Sequence, residues 1–182
     1  MIFARGWKGG KQVSINMLYP LTYYSFSFLQ FDIVDFYPSI SQELLINSIN
    51  FVRKFIHISE DDLEIIIQAI KTFLFSKTDV WNKKVNSDFD IAMGSYDEAE
   101  CCELVGLYIL SKLQPMKINV GLYRDDALGV VDCTPRQAEL KRKEICKIFK
   151  DMNLSITIEV NVKIVNFLDV TLILMRAPIS HI

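Results

Sequence analysis

The chain has 182 residues, 51% of them apolar, with 20 Lys plus Arg set against 22 Asp plus Glu. That is enough apolar material for one sizeable core and excludes a disordered tail, and a formal net charge of −2 excludes a uniformly basic surface. Any attraction to nucleic acid must then come from a local patch or from bound cations.

Cys101, Cys102, Cys133 and Cys146 contain no C-x-x-C pair, so neither a zinc site nor a disulfide framework is expected. A reducing intracellular setting, nuclear or cytoplasmic rather than secreted, fits that usage. The opening stretch MIFARGWKGGKQVSINMLYPLTYYSFSFLQ is interrupted by Pro20, and no small-residue cleavage site follows it. No run is long and apolar enough to span a bilayer, so no membrane is expected.

In chain order, residues 1 to 25 form a divergent segment, expected to order poorly, and a single domain is expected over 26 to 176, followed by a tail at 177 to 182. SFLQFDIV at 27 to 34 is short, aromatic and β-branched, which predicts a strand ending near Asp35. Pro38 and the Ser39-x-x-Gln42 spacing predict a capped helix running to about Ile56. Ser59, with Glu60, Asp61 and Asp62 behind it, predicts a second helix whose stripe is Leu63, Ile66, Ile67, Ile70 and Phe73. After a polar interval, DFDIAMG predicts a strand or extended turn, and residues 96 to 113 a helix.

Two apolar runs, 118 to 123 and 127 to 131, flank Arg124-Asp125-Asp126 and predict a β-hairpin with the carboxylates at its tip. Thr134 and Pro135 suit the cap and first position of a helix running to about Met152, with strands at 154 to 160 and 164 to 174 beyond it. The order predicts an α+β fold close to a split βαββαβ unit, an antiparallel sheet with helices packed on one face.

In that order the first strand and the hairpin are neighbours at the sheet centre, which gathers Asp32, Asp35, Asp125 and Asp126. Carboxylates held so close repel unless protonated or bridged by a hard divalent cation. Mg²⁺ takes oxygen ligands and substrate phosphates, and two such ions about 3.5–4 Å apart serve in-line phosphoryl or nucleotidyl transfer. Taken alone, Asp-Asp between apolar runs also reads as an ordinary solvated turn.

Tyr123-Arg124-Asp125-Asp126 resembles the Tyr-x-Asp-Asp box of reverse transcriptases, and FDIVDFYPSI at 31 to 40 resembles their first palm motif. MGSYDEAE at 93 to 100 is similar to their glycine-led template- and nucleotide-contacting motif, and VNFLDVTL at 165 to 172 to the late palm motif near the primer grip. The wording from about 31 to 175 is similar to retroelement reverse transcriptases of invertebrate genomes.

The resemblance implies a polymerase palm and RNA-directed DNA synthesis. Two Mg²⁺ ions, for which Mn²⁺ can substitute, would be held by Asp32, Asp125, Asp126 and the backbone of Ile33. It further implies that Tyr37, Asp35, Gly94 and Lys163 face the deoxynucleoside triphosphate, and that Tyr123 and Arg124 face an RNA template and DNA primer. Fingers and thumb segments, which grip triphosphate and duplex, are not recognisable, so a palm-only fragment of a truncated element is expected. An inactive palm-fold relic stays open beside the polymerase, whereas Tyr37 and Tyr123 argue against an RNA-dependent RNA polymerase.

Ordinary packing stays open for Tyr37, and a solvated surface position for Lys163. Asp169 reads as ordering a turn. Ala127 stands where glycine follows the Asp pair in relatives, which strains the turn if φ is positive there. Lys141, Arg142, Lys143, Lys147 and Lys150 read either as a phosphate-facing stripe or as the wet face of a helix.

Overall fold

A computed structural model describes residues 26–71, 73–82, 89, 91 and 98–174. The segments expected at 1 to 25 and 177 to 182 lie outside the described residues, as does Gly94. The chain has an α+β fold with antiparallel sheets. In order, the elements are β1 (Phe26–Ile33), α1 (Phe36–Ser39), α2 (Gln42–Val52), α3 (Glu60–Ala69), β2 (Phe73–Ser76), β3 (Asp79–Asn82), α4 (Glu98–Leu113), β4 (Asn119–Tyr123), β5 (Asp126–Asp132), α5 (Pro135–Asp151), β6 (Ile156–Val162), β7 (Ile164–Phe167) and β8 (Val170–Ile173). A four-stranded sheet runs β4-β5-β1-β6, and β2-β3 and β7-β8 are separate two-stranded ribbons.

Local capping explains where the helices start. Ser59 and Asp62 make a reciprocal capping box on α3, and Thr134 does the same with Gln137 on α5. Ser41, not Ser39, caps α2, its hydroxyl accepting from the Leu44 amide at 3.1 Å. Ser39 instead closes the one-turn α1 and donates to the Val34 carbonyl at 3.3 Å. Asp35 starts that turn with φ 48°, in the left-handed region.

Period-2 alternation sorts β1 into two faces. Leu29, Phe31 and Ile33 are buried among Val105 and Ile109 of α4 and Ile145 and Phe149 of α5. Phe31 meets Phe149 edge to face at 5.1 Å, so the helices cover this side of the sheet. At the sheet edge the backbones approach closely, because a Cβ on Gly129 would come within 3.1 Å of the Asn119 carbonyl. The β7-β8 ribbon lies toward the other face, where the Gln30 amide donates to the Asn166 carbonyl at 3.0 Å.

Two expectations about strands change. The polar interval after α3 contains the β2-β3 hairpin, so Phe73 belongs to a strand rather than to the α3 stripe. Residues 164 to 174 fold back on themselves about Leu168 and Asp169, and Leu168 takes φ 53° in the turn. Among the described residues no helix is long and apolar enough to cross a membrane.

Candidate functional site

The next residue on β1 after Phe31 is Asp32, which alternation puts on the face away from α4 and α5. β1 and β5 run antiparallel in a register that sets Asp32 directly opposite Asp126. The Ile33 amide donates to the Asp125 carbonyl at 3.0 Å, which makes Ile33 and Asp125 the hydrogen-bonded pair. The Asp32–Asp126 pair is therefore of the non-hydrogen-bonded kind, in which facing side chains stand closest. Tyr123 pairs with Asp126 on one side and Thr157 with Asp32 on the other. One row across the open face thus reads Tyr123, Asp126, Asp32, Thr157.

The electrostatics of the row follow from crowding. Burial, then the Asp125 charge, raises the Asp32 carboxyl above its ordinary value. Burial, then Asp125 and Asp32, does the same to Asp126. The three carboxylates therefore feel one another, and their repulsion is the kind that a cation would reverse. Oxygen-only donors on adjacent strands fit a hard divalent ion by ligand type. Among the described residues, however, no three His, Cys, Asp or Glu side chains already stand at metal-holding geometry.

The hairpin itself differs from expectation in one respect. Asp126 is the first residue of β5, so the turn consists of Arg124 and Asp125 alone. The positive φ, 54°, falls on Arg124 and not on Ala127, which is fully buried in regular strand. A left-handed arginine is strained, and a tertiary contact holds it. Its guanidinium donates to the Tyr37 hydroxyl at 3.2 Å and lies 5.8 Å from the Tyr123 ring.

Tyr37, which is 8% exposed, therefore ties α1 to the hairpin tip. Burial is the main cause that pushes its phenol up, Arg124 opposes, and a hydrogen bond to Glu98 adds to the rise. Glu98, buried at the start of α4, completes an Arg124–Tyr37–Glu98 chain that sequence reasoning missed. As an acid in a first helical turn it carries no local signal beyond complementing the macrodipole. Arg124→Ala is expected to cost about 1 kcal/mol more stability than Arg124→Gly in urea unfolding, because both lose the bond to Tyr37 and only glycine relieves the left-handed φ. Equal losses would mean that the turn is unstrained.

Not every sequence candidate reaches the row. Asp35 is exposed in its left-handed turn, and its charge is not among the causes that shift Asp32 or Asp126. Ile33 is buried in the core with its amide committed to Asp125. The Lys163 ammonium donates to the carbonyl of Phe26. Phe26 begins β1 and Asp32 nearly ends it, a separation of about 20 Å along the strand, so Lys163 is not brought to the carboxylates.

This α+β architecture, an antiparallel sheet with helices packed on one face, has a solved counterpart. It is similar to apo telomerase from Candida tropicalis truncated from its C-terminal domain, with a TM-score of 0.59, 13% identity, and coverage of 81% of this chain and 34% of the telomerase chain. The chain thus spans about a third of the solved chain's length, and at that identity the likeness is one of fold. No family model and no curated protein sequence matches it.

Proposed function

We propose that this chain forms the palm of a retroelement reverse transcriptase, the part that carries the carboxylates of nucleotidyl transfer. The observation that carries the reading is the cross-strand pairing of Asp32 with Asp126, with Asp125 beside them in the turn. The telomerase neighbour, a reverse-transcriptase-related enzyme, supports it at the level of fold. The order β4-β5-β1-β6 of the four-stranded sheet also supports it, since a split βαββαβ unit would set its strands in that sequence.

In this reading Asp32, Asp125 and Asp126 would hold two Mg²⁺ or Mn²⁺ ions, with the backbone carbonyl of Ile33, rather than its committed amide, as the further contact the resemblance implies. Such ions supply activation of a primer 3′-hydroxyl and charge stabilisation on the triphosphate and departing pyrophosphate. The chain's own residues do the rest. Asp32 and Asp126 orient donor oxygens from two paired strands, Tyr123 offers an exposed ring to the primer end, and Tyr37 walls the sugar pocket. The Arg124–Tyr37 bond keeps the hairpin tip seated on α1. RNA template, DNA primer and deoxynucleoside triphosphates are the proposed substrates, with Gly94 proposed at the nucleotide.

A second reading, a palm-fold protein that binds metal or nucleic acid weakly without catalysis, is favoured by the placement of Lys163 away from the row. Primer extension on an RNA template separates the two. Extension by the wild type that disappears in the Asp125→Asn, Asp126→Asn variant is the expected result. A folded chain that extends nothing in Mg²⁺ or Mn²⁺ would establish the second reading instead.

A further inference from the structure

The outer face of α5 presents an unpaired row of cations. Taking 3.6 residues per turn from Arg136, the side chains of Arg136, Lys143, Lys147 and Lys150 fall within an arc of roughly 60° and extend along about 21 Å of helix. All four are exposed, and the opposite side of the helix, Ala138, Ile145 and Phe149, is buried in the core. Leu140, 59% exposed, borders this arc on one side and Glu139, which is committed to Arg142, borders it on the other.

Membership in the ridge is a matter of tertiary structure. Lys141 leaves the run KRKEICKIFK by donating to the Met116 carbonyl at 2.9 Å, and Arg142 is neutralised by Glu139 at 2.8 Å. Among the described residues none of the four ridge cations makes an ion pair or a side-chain hydrogen bond. Solvent faces of helices ordinarily mix signs at positions three and four apart, which lowers repulsion. Glu139, Glu144 and Asp151 stand three or four positions from Arg136, Lys143 or Lys147 and temper that repulsion, yet Lys143, Lys147 and Lys150 still follow one another at those spacings in a chain whose formal net charge is −2.

We propose that this ridge binds the sugar–phosphate backbone of a nucleic-acid duplex, at a place separate from the carboxylate row. Four fixed cations in a straight line complement a rigid polyanion, and no aromatic ring on the ridge could stack a base, so the contact is to phosphate and independent of sequence. A membrane surface fits less well, because a helix lying on lipid inserts its apolar face and that face of α5 is already buried. α5 packs on the Phe31 side of β1 while Asp32 stands on the other. At least one helix diameter, about 10–12 Å, therefore lies between ridge and sheet.

The test is fluorescence anisotropy of a short mixed-sequence DNA duplex titrated with the full chain at several salt concentrations. Four phosphate contacts predict a slope of log affinity on log salt of about −3.6, or roughly a hundredfold weakening between about 50 and 200 mM. The R136Q/K143Q/K147Q/K150Q variant should lose that slope, while D32N/D125N/D126N should keep it. Glutamine forms helix about as well as lysine, so the fold is retained. If the fourfold variant nonetheless unfolds, single substitutions should each flatten the slope by about 0.9. An unchanged slope in the ridge variants would overturn the proposal, as would binding only to anionic phosphatidylserine vesicles. Because the carboxylate variant is an arm of the experiment, a failed polymerase reading and a failed ridge are told apart.

Discussion

Phe149→Ala is expected to lower stability by about 3–5 kcal/mol, the usual cost of emptying an aromatic site in a closed core. Phe149 has no exposure, and its ring meets Phe31 edge to face at an interplanar angle of 67°. Phe31 in turn is flanked across the sheet by Ala127 and Ile158, so truncation opens a cavity under the middle of the sheet rather than at its edge. For a domain of this size the thermal midpoint should fall by roughly 6–20 °C. Leu140→Ala, on the solvent side of the same helix, should stay within about 0.5 kcal/mol. Urea denaturation followed by circular dichroism reads both, and a loss below about 1 kcal/mol at Phe149 would mean that α5 does not close the core.

Asp126→Asn should act in opposite directions with and without metal. Above its ordinary value of 3.8 the Asp126 carboxyl is pushed up by burial first and by Asp125 and Asp32 next. Within the window between the unfolded value and the raised native one, the native chain binds more protons, so stability falls as pH rises through it and stays lowered at neutral pH. Asparagine removes that repulsion, so in chelator the variant should melt above the wild type at neutral pH, and the difference should vanish toward strong acid. With Mn²⁺ at about 100 times its dissociation constant the wild type should gain about 2.7 kcal/mol by mass action, and the variant much less. A wild type whose midpoint ignores millimolar Mn²⁺ would leave these carboxylates as a solvated turn.

Both expectations rest on a register that the strand sequences do not announce. A slip of one residue between β1 and β5 would turn Asp32 into the core and Phe31 out to solvent. Two apolar runs around Arg124-Asp125-Asp126 identify a hairpin, yet whether Asp126 belongs to the turn or to the strand depends on how β5 pairs with β1 as well as with β4. The same dependence moved the strain from Ala127 to Arg124.

What the sequence by itself determined is local. Ser59 with Asp62 and Thr134 with Gln137 cap their helices through contacts three residues apart, and the alternation of β1 separates Phe31 from Asp32 wherever the strand is placed. Such features are legible because the groups that stabilise them are neighbours in the chain. Only the tertiary structure decided which distant groups meet. Tyr37 and Arg124 bond across 87 positions, Lys163 is drawn to the far end of β1, and Lys141 turns inward while Arg136 joins Lys143, Lys147 and Lys150 on the outer ridge of α5. These choices follow from burying one continuous apolar face. Once Phe31, Ile145 and Phe149 are packed, every polar side chain must find its place on what surface remains.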